Sequence, residues 1–313
     1  MNPKSTIFQG NCVGTFKFDE VFQSGMFQIE GQENLIATWN CDSEINILSY
    51  PKWEKKVIFK EKHEYICSLI QHEINGTKVL ISVSEKDMTL KIWNIQTGDL
   101  LKTITSKNEL GFSGLTRIPW GKNKTTVVVS MYKNLQVLEL ETEVVSKEIE
   151  EAHEGRIYGL ATITKGGNVK LLTAGDTCVK VWDMKNEMLL EHKIMIGSET
   201  CRIVPIVSKE IVAVANVNNE VCLFNWNNWT PIQILRGHTD IPWQIITIKL
   251  ENEDVLVTGG QDTFLKFWEM GSWNCFKSIE IVNEGIGSLF QLRTSTDELI
   301  LVTVHFNLIK EWR

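Results

Sequence analysis

The segments "TLKIWN" (89–94), "CVKVWD" (178–183) and "FLKFWE" (264–269) share one pattern: an apolar residue, a variable one, another apolar residue, then Trp and a polar residue. Alternation of this kind marks a half-buried β-strand. If Trp is relaxed to any large apolar residue, "INILS", "LQVLE", "VCLFN" and "LIKEWR" join the set. The slot then falls on Leu48, Trp93, Leu138, Trp182, Phe224, Trp268 and Trp312, at intervals of 45, 45, 44, 42, 44 and 44 residues. Seven copies fill the chain, and a chain so filled must bury each copy against its neighbours.

Within a copy the order recurs: a turn, a run such as "YGLATIT", a run such as "VKLLTAG", the Trp strand, and a last run such as "MLLEHKI". Four short strands per unit predict an all-β fold, a seven-bladed β-propeller of four-stranded antiparallel blades. The seventh unit stops at Arg313 after its third strand, while "CVGTFKF" (12–18) is a spare strand at the other end. The N-terminal strand is therefore expected to complete the last blade and close the ring, with residues 1–313 forming one domain.

Charge and composition narrow the function. A net charge of −7 and a pI near 5.5 disfavour a nucleic-acid partner, which calls for basic excess. Seven cysteines without paired spacing suggest neither a disulfide framework nor a zinc site, and fit a reducing compartment. With no secretory leader and no long apolar run, the expected location is cytoplasmic, with nucleus or cytoskeleton as variants and no membrane insertion.

The dipeptides "GH" (237–238) and "WD" (182–183), with the near matches "WN" (93–94) and "WE" (268–269), resemble the signature of the WD-repeat β-propeller family across the whole chain. That resemblance implies a hydrogen-bonded relay inside a blade. It would comprise His153, Thr173, Asp176 and Trp182 in blade 4, and His238, Thr258, Asp262 and Trp268 in blade 6. Blade 2 offers His63, either Ser82 or Ser84, Asp87 and Trp93. His153, Thr173 and Asp176 taken alone could pass for a catalytic set. Asp42, Asp87, Asp176 and Asp262 all stand six residues before their slot, however, and a reaction centre does not come in several copies. The set reads as a brace that satisfies buried polar groups. Blades 3, 5 and 7 carry Tyr132, Asn218 and Phe306 at the Asp position and no His at the GH position, so they are expected to lack the full relay.

Recognition is then expected where blades differ. At the inner end of the first strands stand Tyr158 and Trp243, and by alignment Ser24, Ser113, Ser68, Arg202 and Gly287. Before the turn Asp stand Cys41, Lys86, Met131, Gly175, Val217, Gln261 and His305. Trp243, Tyr158, Arg202, Arg156, Lys86, Gln261 and His305 form the candidate partner-binding set, suited to a peptide held by an aromatic contact and a charge-assisted bond to an acidic or C-terminal group. Trp53, Trp229 and Trp273 sit five residues after their slots and read as turn covers packed on the outer strand, with exposed docking aromatics as the alternative. Lysines over 52–62 and glutamates over 139–154 read as charge that protects outer strands from strand addition.

No nucleophile elbow, phosphate-cradling loop or HExxH occurs. The expectation is a non-catalytic scaffold or adaptor without cofactor or metal. It would bind protein or peptide partners, as a monomer or within a hetero-complex. The alternative is an obligate subunit of a cytoskeletal, ciliary or vesicle-coat assembly gripped by blade edges, and a channel-mouth enzyme is the remaining one.

Overall fold

The computed structural model describes residues 11–17, 25–32, 34–39, 44–107, 110–118, 126–250, 253–281, 285–294, 298–305 and 308–313. Asp42, Phe306, Ser24 and Cys41, singled out above, lie outside them. Strand β1 (Cys12–Lys17) comes first. Blade 1 holds β2 (Gly25–Gln28), β3 (Leu35–Trp39), β4 (Ile45–Ser49) and β5 (Glu54–Ile58). Blade 2 holds β6 (Ile66–Ile74), β7 (Thr77–Ser84), β8 (Thr89–Asn94) and β9 (Leu100–Thr105). Blade 3 is β10 (Gly114–Arg117), β11 (Thr126–Met131), β12 (Asn134–Glu139) and β13 (Val145–Ile149). Blade 4 is β14 (Ile157–Lys165), β15 (Asn168–Gly175), β16 (Cys178–Asp183) and β17 (Leu189–Met195). Blade 5 runs through β18 (Thr200–Ile206), β19 (Ile211–Asn216), β20 (Val221–Asn225) and β21 (Pro231–Leu235). Blade 6 runs through β22 (Gln244–Leu250), β23 (Glu253–Gly259), β24 (Phe264–Glu269) and β25 (Cys275–Glu280). Blade 7 takes β26 (Ser288–Arg293), β27 (Leu299–His305) and β28 (Leu308–Trp312), and β1 lies outermost on it.

Each blade is one four-stranded antiparallel sheet, and the architecture is a seven-bladed β-propeller. By internal contacts the chain divides into two compact units. One comprises Met1–Asn40, Ile47–Lys56 and Ile206–Arg313, and the other comprises Cys41–Asn46 and Val57–Pro205. In the first, β1 pairs with β28 from Cys12 opposite Trp312 to Lys17 opposite Leu308. The pairing covers the edge that β28 would otherwise present. The core there joins Val255, Val257 and Phe267 to Leu289, Leu301 and Trp312. In the second unit, Ile81, Val83 and Leu90 of blade 2 cluster with Leu115, Val127 and Val129 of blade 3.

All seven slot residues are buried, from Leu48 and Trp93 at 0% exposure to Phe224 at 7%. The spacing read from sequence is thus a spacing of core anchors. Facing each anchor in blades 2 to 6, the outer strand carries one extra residue. Trp93 pairs with Leu100 and Ile92 with Lys102, so Leu101 bulges out. Ser146, Glu191, Ile232 and Phe276 bulge at the same place in blades 3 to 6. A bulge sharpens local twist, so the outer strand turns beside the anchor. The turn that follows is also shared. Trp53, Trp229 and Trp273 adopt φ of 56°, 59° and 59°, and each N–H bonds the carbonyl four residues back. Gly98 holds this position in blade 2, where a Cβ would strike Val57 and the carbonyl of Ile58. Trp53 is buried and its indole donates to Glu311 Oε1 at 2.8 Å, whereas Trp229 and Trp273 are half-buried.

The polar relay takes three forms. In blade 6 it is continuous. Trp268 Nε1–H donates to Thr258 Oγ1 (2.9 Å), that hydroxyl meets His238 Nε2 (2.7 Å), and His238 Nδ1 meets Asp262 Oδ2 (2.8 Å). Asp262 also accepts the N–H groups of Thr239 and Phe264. Burial pushes its carboxyl up, but these donors together hold it below the usual value. In blade 4, Trp182 and His153 both reach Thr173 Oγ1, at 2.9 and 2.7 Å. Asp176 Oδ2, however, takes the Glu154 N–H and stands 3.5 Å from His153 Nδ1, so the last link is loose. In blade 2 the hydroxyl is that of Ser82, bonded by Trp93 (2.7 Å) and His63 Nδ1 (2.6 Å). Thr89 Oγ1 stands between His63 Nε2 (3.0 Å) and Asp87 Oδ1 (2.8 Å). Ser84 instead donates to the Glu64 carbonyl.

Blade 7 holds a link not foreseen in the sequence. Trp312 Nε1–H donates to Thr303 Oγ1 (2.9 Å), and the same oxygen meets Nε2 of His305, two residues along β27 (2.8 Å). His305 is 2% exposed. Its placement on the partner-binding rim is therefore corrected, because its ring turns into the blade to serve the hydroxyl.

Two stability predictions follow from the relays. Asp262 is 1% exposed and carries three donors, whereas Asp176 is 20% exposed. Asp262→Ala should cost about 1–3 kcal/mol and Asp176→Ala clearly less, measured by urea unfolding. Burial, offset in part by the nearby Asp, lowers the His63 and His153 pKa values from 6.5 to about 4. Unfolding frees these rings to bind protons, so their stabilisation is complete above pH 6.5 and is lost as pH falls towards 4. The loss is about 3 kcal/mol for each ring, and a His63→Gln/His153→Gln variant should flatten that part of the stability–pH curve.

Candidate functional site

The blade 2–4 unit gathers a group of exposed aromatic and charged side chains where loops lead into first strands. Strand β14 starts with a bulge: Ile157 pairs with Gly175 and Gly159 with Ala174, leaving Tyr158 unpaired. A bulged residue is re-aimed out of the sheet, and Tyr158 is 45% exposed. Burial, then a hydrogen bond to Glu199, raises its phenol pKa. The N–H of Ile157 donates to the carbonyl of Tyr132 (2.8 Å), which sets Tyr132 at the head of the same strand. Tyr132 occupies a left-handed turn (φ 54°) and is 47% exposed.

Arg156 joins this group to blade 2. Its guanidinium bonds both oxygens of Glu85, at 2.8 and 2.7 Å, and stacks 5.7 Å from the centre of the Tyr158 ring. Although burial opposes its charge, the Glu85 carboxylate holds the guanidinium above its usual pKa. Glu85 is itself held from below, because a Cβ on Gly111 would overlap the Glu85 backbone. Beside it, Lys86 pairs with Glu64 (2.8 Å), and Tyr65 follows at φ 51° with half its surface exposed.

Of the sequence-derived candidates, Arg156, Tyr158 and Lys86 therefore share one surface. Arg156, one of the candidate partner-binding residues, is already paired with Glu85. Arg202 lies exposed on β18 between buried Cys201 and Ile203 and has no ion pair among the described residues. In the other unit, the N–H groups of Trp243 and Gln261 share the carbonyl of Ile241 (3.1 and 3.0 Å), and Trp243 is 37% exposed. Met131 is fully buried. Tyr65, Tyr132, Glu85 and Glu199 are the residues the sequence did not single out for binding. The available signal was Tyr132 itself, an aromatic where other blades place the turn Asp.

The carboxylates on this surface are committed: Glu85 to Arg156, Glu199 to Tyr158, Glu64 to Lys86 and Asp87 to Thr89. What remains available is aromatic surface and hydrogen-bonding edge, which suits binding. Glu85→Gln should leave Arg156 without its bidentate partner at about 30% exposure and cost about 1–2 kcal/mol in chemical unfolding, between the values for surface and buried pairs.

Comparison with known proteins agrees with this architecture. Residues 146–183, spanning the outer strand of blade 3 and most of blade 4, match the family described as "WD domain, G-beta repeat". The WD repeat-containing protein srw1 of Schizosaccharomyces pombe is 29% identical over 98 residues, covering 30% of this chain and 17% of that protein. A WD repeat-containing protein of Dictyostelium discoideum is 21% identical over 76% of this chain and 13% of its own length. Protein tipD from the same organism is 26% identical over 41% of this chain and 20% of its own length. This chain thus spans a fifth or less of these curated relatives. Among solved structures, the WD40 β-propeller domain of Doa1 superposes with a TM-score of 0.74 at 14% identity, covering 98% of this chain and 97% of that one. Seven four-stranded sheets on a regular slot, the recurring indole-to-hydroxyl bond and the matched repeat in blade 4 together support a WD-repeat β-propeller.

Proposed function

We propose that this chain is a non-catalytic platform within an intracellular complex, recognising a protein partner through the tyrosine-rich surface of blades 2 to 4. WD-repeat propellers in general mediate protein–protein interaction. The observation that carries the finer reading is the arrangement of Tyr65, Tyr132 and Tyr158 around the Arg156–Glu85 pair. Tyrosine and arginine dominate the energetics of protein interfaces, because each offers a large rigid surface with a polar end. The Glu85 clamp and the stacked Tyr158 ring fix Arg156 before any partner arrives, which lowers the ordering cost of binding.

Arg202, with no acid partner among the described residues, suits an acidic or C-terminal group of that partner. In the other unit, Trp243 with Gln261 offers an aromatic contact of its own. Scattered cysteines and an acidic net charge suit a cytoplasmic location for the complex.

Tyr132→Ala/Tyr158→Ala removes exposed rings that lie outside the core, so thermal stability should stay near wild type. Affinity capture from native lysate, compared with wild type by quantitative mass spectrometry, should lose specific partners. Full retention of every partner by this variant would move the grip to the blade edges, as expected of an obligate assembly subunit.

A further inference from the structure

We propose a second recognition surface: the groove between the outer strands of blades 3 and 4 takes an extended protein segment carrying an aliphatic side chain flanked by Lys or Arg. The groove is open to solvent and offers about 690 Å³ along its length. Its floor is Trp182 and Met188, both 5% exposed, with half-buried Ile149 beside them. Both bounding strands are sheet edges, since β13 pairs only with β12 and β17 only with β16. Their outer N–H and C=O groups are therefore available to an added strand.

Strand β17 differs from the other outer strands. Leu189, Leu190 and Met195 are 65%, 41% and 61% exposed, whereas each other outer strand shows at most one large exposed apolar residue among the described residues. In blades 2 and 5 that residue, Leu101 or Ile232, is the bulged one and so is turned outward by the backbone. In blade 4 the bulged residue is Glu191, and the exposed leucines lie outside the bulge. The turn before them is rigid. Asp183 accepts the Lys185 N–H (2.9 Å) and Asn186 Nδ2 (2.6 Å) and pairs with Lys170 (3.1 Å). Glu187 and Met188 follow, both left-handed at φ 54° and 58°. The backbone itself therefore fixes the apolar lip.

Charge selects the occupant. Three carboxylates, Glu148, Glu150 and Glu187, line the groove against the single ammonium of Lys147, which stands 3.8 Å from Glu187. The surplus of negative charge repels nucleic acid and anionic lipid and attracts a cationic segment. An aliphatic side chain between basic residues matches both the floor and the rim.

The test uses the intact chain and two fluorescein-labelled peptides, acetyl-RKLVLKR-amide and acetyl-EDLVLDE-amide, followed by fluorescence anisotropy at low and high salt. The basic peptide should bind, more weakly as salt rises, and the acidic one should not. Glu150→Lys/Glu187→Lys should weaken binding by at least about tenfold. Leu190→Arg should do the same, while Glu253→Lys/Glu280→Lys, an equal charge change on blade 6, should leave it unaltered. Circular dichroism melting of each variant verifies the fold. Equal weakening by the groove and blade 6 variants would reduce the effect to net charge and overturn the proposal, as would failure of the basic peptide to bind. Tyr132→Ala/Tyr158→Ala should bind the basic peptide like wild type, so this outcome is independent of the tyrosine surface.

Discussion

The bond from an indole on the third strand to a hydroxyl on the second holds the interior of a blade in register. Trp93 with Ser82, Trp182 with Thr173, Trp268 with Thr258 and Trp312 with Thr303 make it at 2.7–2.9 Å, each in a fully buried setting. Buried donors without acceptors are expensive, and at these four slots a hydroxyl on the neighbouring strand meets the indole. A one-residue slip of either strand would separate the pair and turn its side chains to the opposite face. The bond therefore acts on register as well as on stability.

A hydroxyl that accepts from an indole still has a proton to give, and the blades differ in where it goes. His63, His153 and His238 reach in from the loop before the first strand, whereas His305 reaches back from the end of the same strand as its Thr303. The two routes deliver an imidazole to equivalent oxygens. Burial keeps His63 and His153 neutral near pH 7 by pulling their pKa values to about 4, and a neutral ring can accept from the hydroxyl on one nitrogen and donate from the other. Where the loop route is used, the turn Asp is drawn in to differing degrees, from 2.8 Å in blade 6 to 3.5 Å in blade 4. The relay is thus a family of solutions to one satisfaction problem.

The parts legible in sequence are those fixed by periodic burial. Anchors at regular intervals give the number of blades, alternation gives their strands, and "CVGTFKF" indicates the outer strand that pairs with β28. Side chains at strand ends were harder to place, because their direction depends on local backbone that leaves no periodic trace. Ser82 and Ser84 point to the same side of β7, but Ser84 stands at its end and is captured by the Glu64 carbonyl. His305 counts to the rim by spacing and rotates inward to Thr303. Arg156 is paired with Glu85, 71 residues away in the chain. Long-range pairs of this kind carry no signature in a single sequence.

Left-handed turns show where backbone strain and burial part company. A non-glycine residue at φ near +55° is strained by roughly 1 kcal/mol or more, and that strain needs an offset. Trp53 has one, because its ring is 3% exposed, packs against Phe16 and Tyr50, and bonds Glu311. Tyr65 and Tyr132 adopt the same backbone conformation while leaving about half of each side chain in water, so burial returns little. Glycine at either place would be the less strained choice for folding alone. Positions where local chemistry departs from what stability favours are the ones at which binding is expected. On blades 2 to 4 two such positions adjoin the ends of an arginine clamp already assembled by the fold.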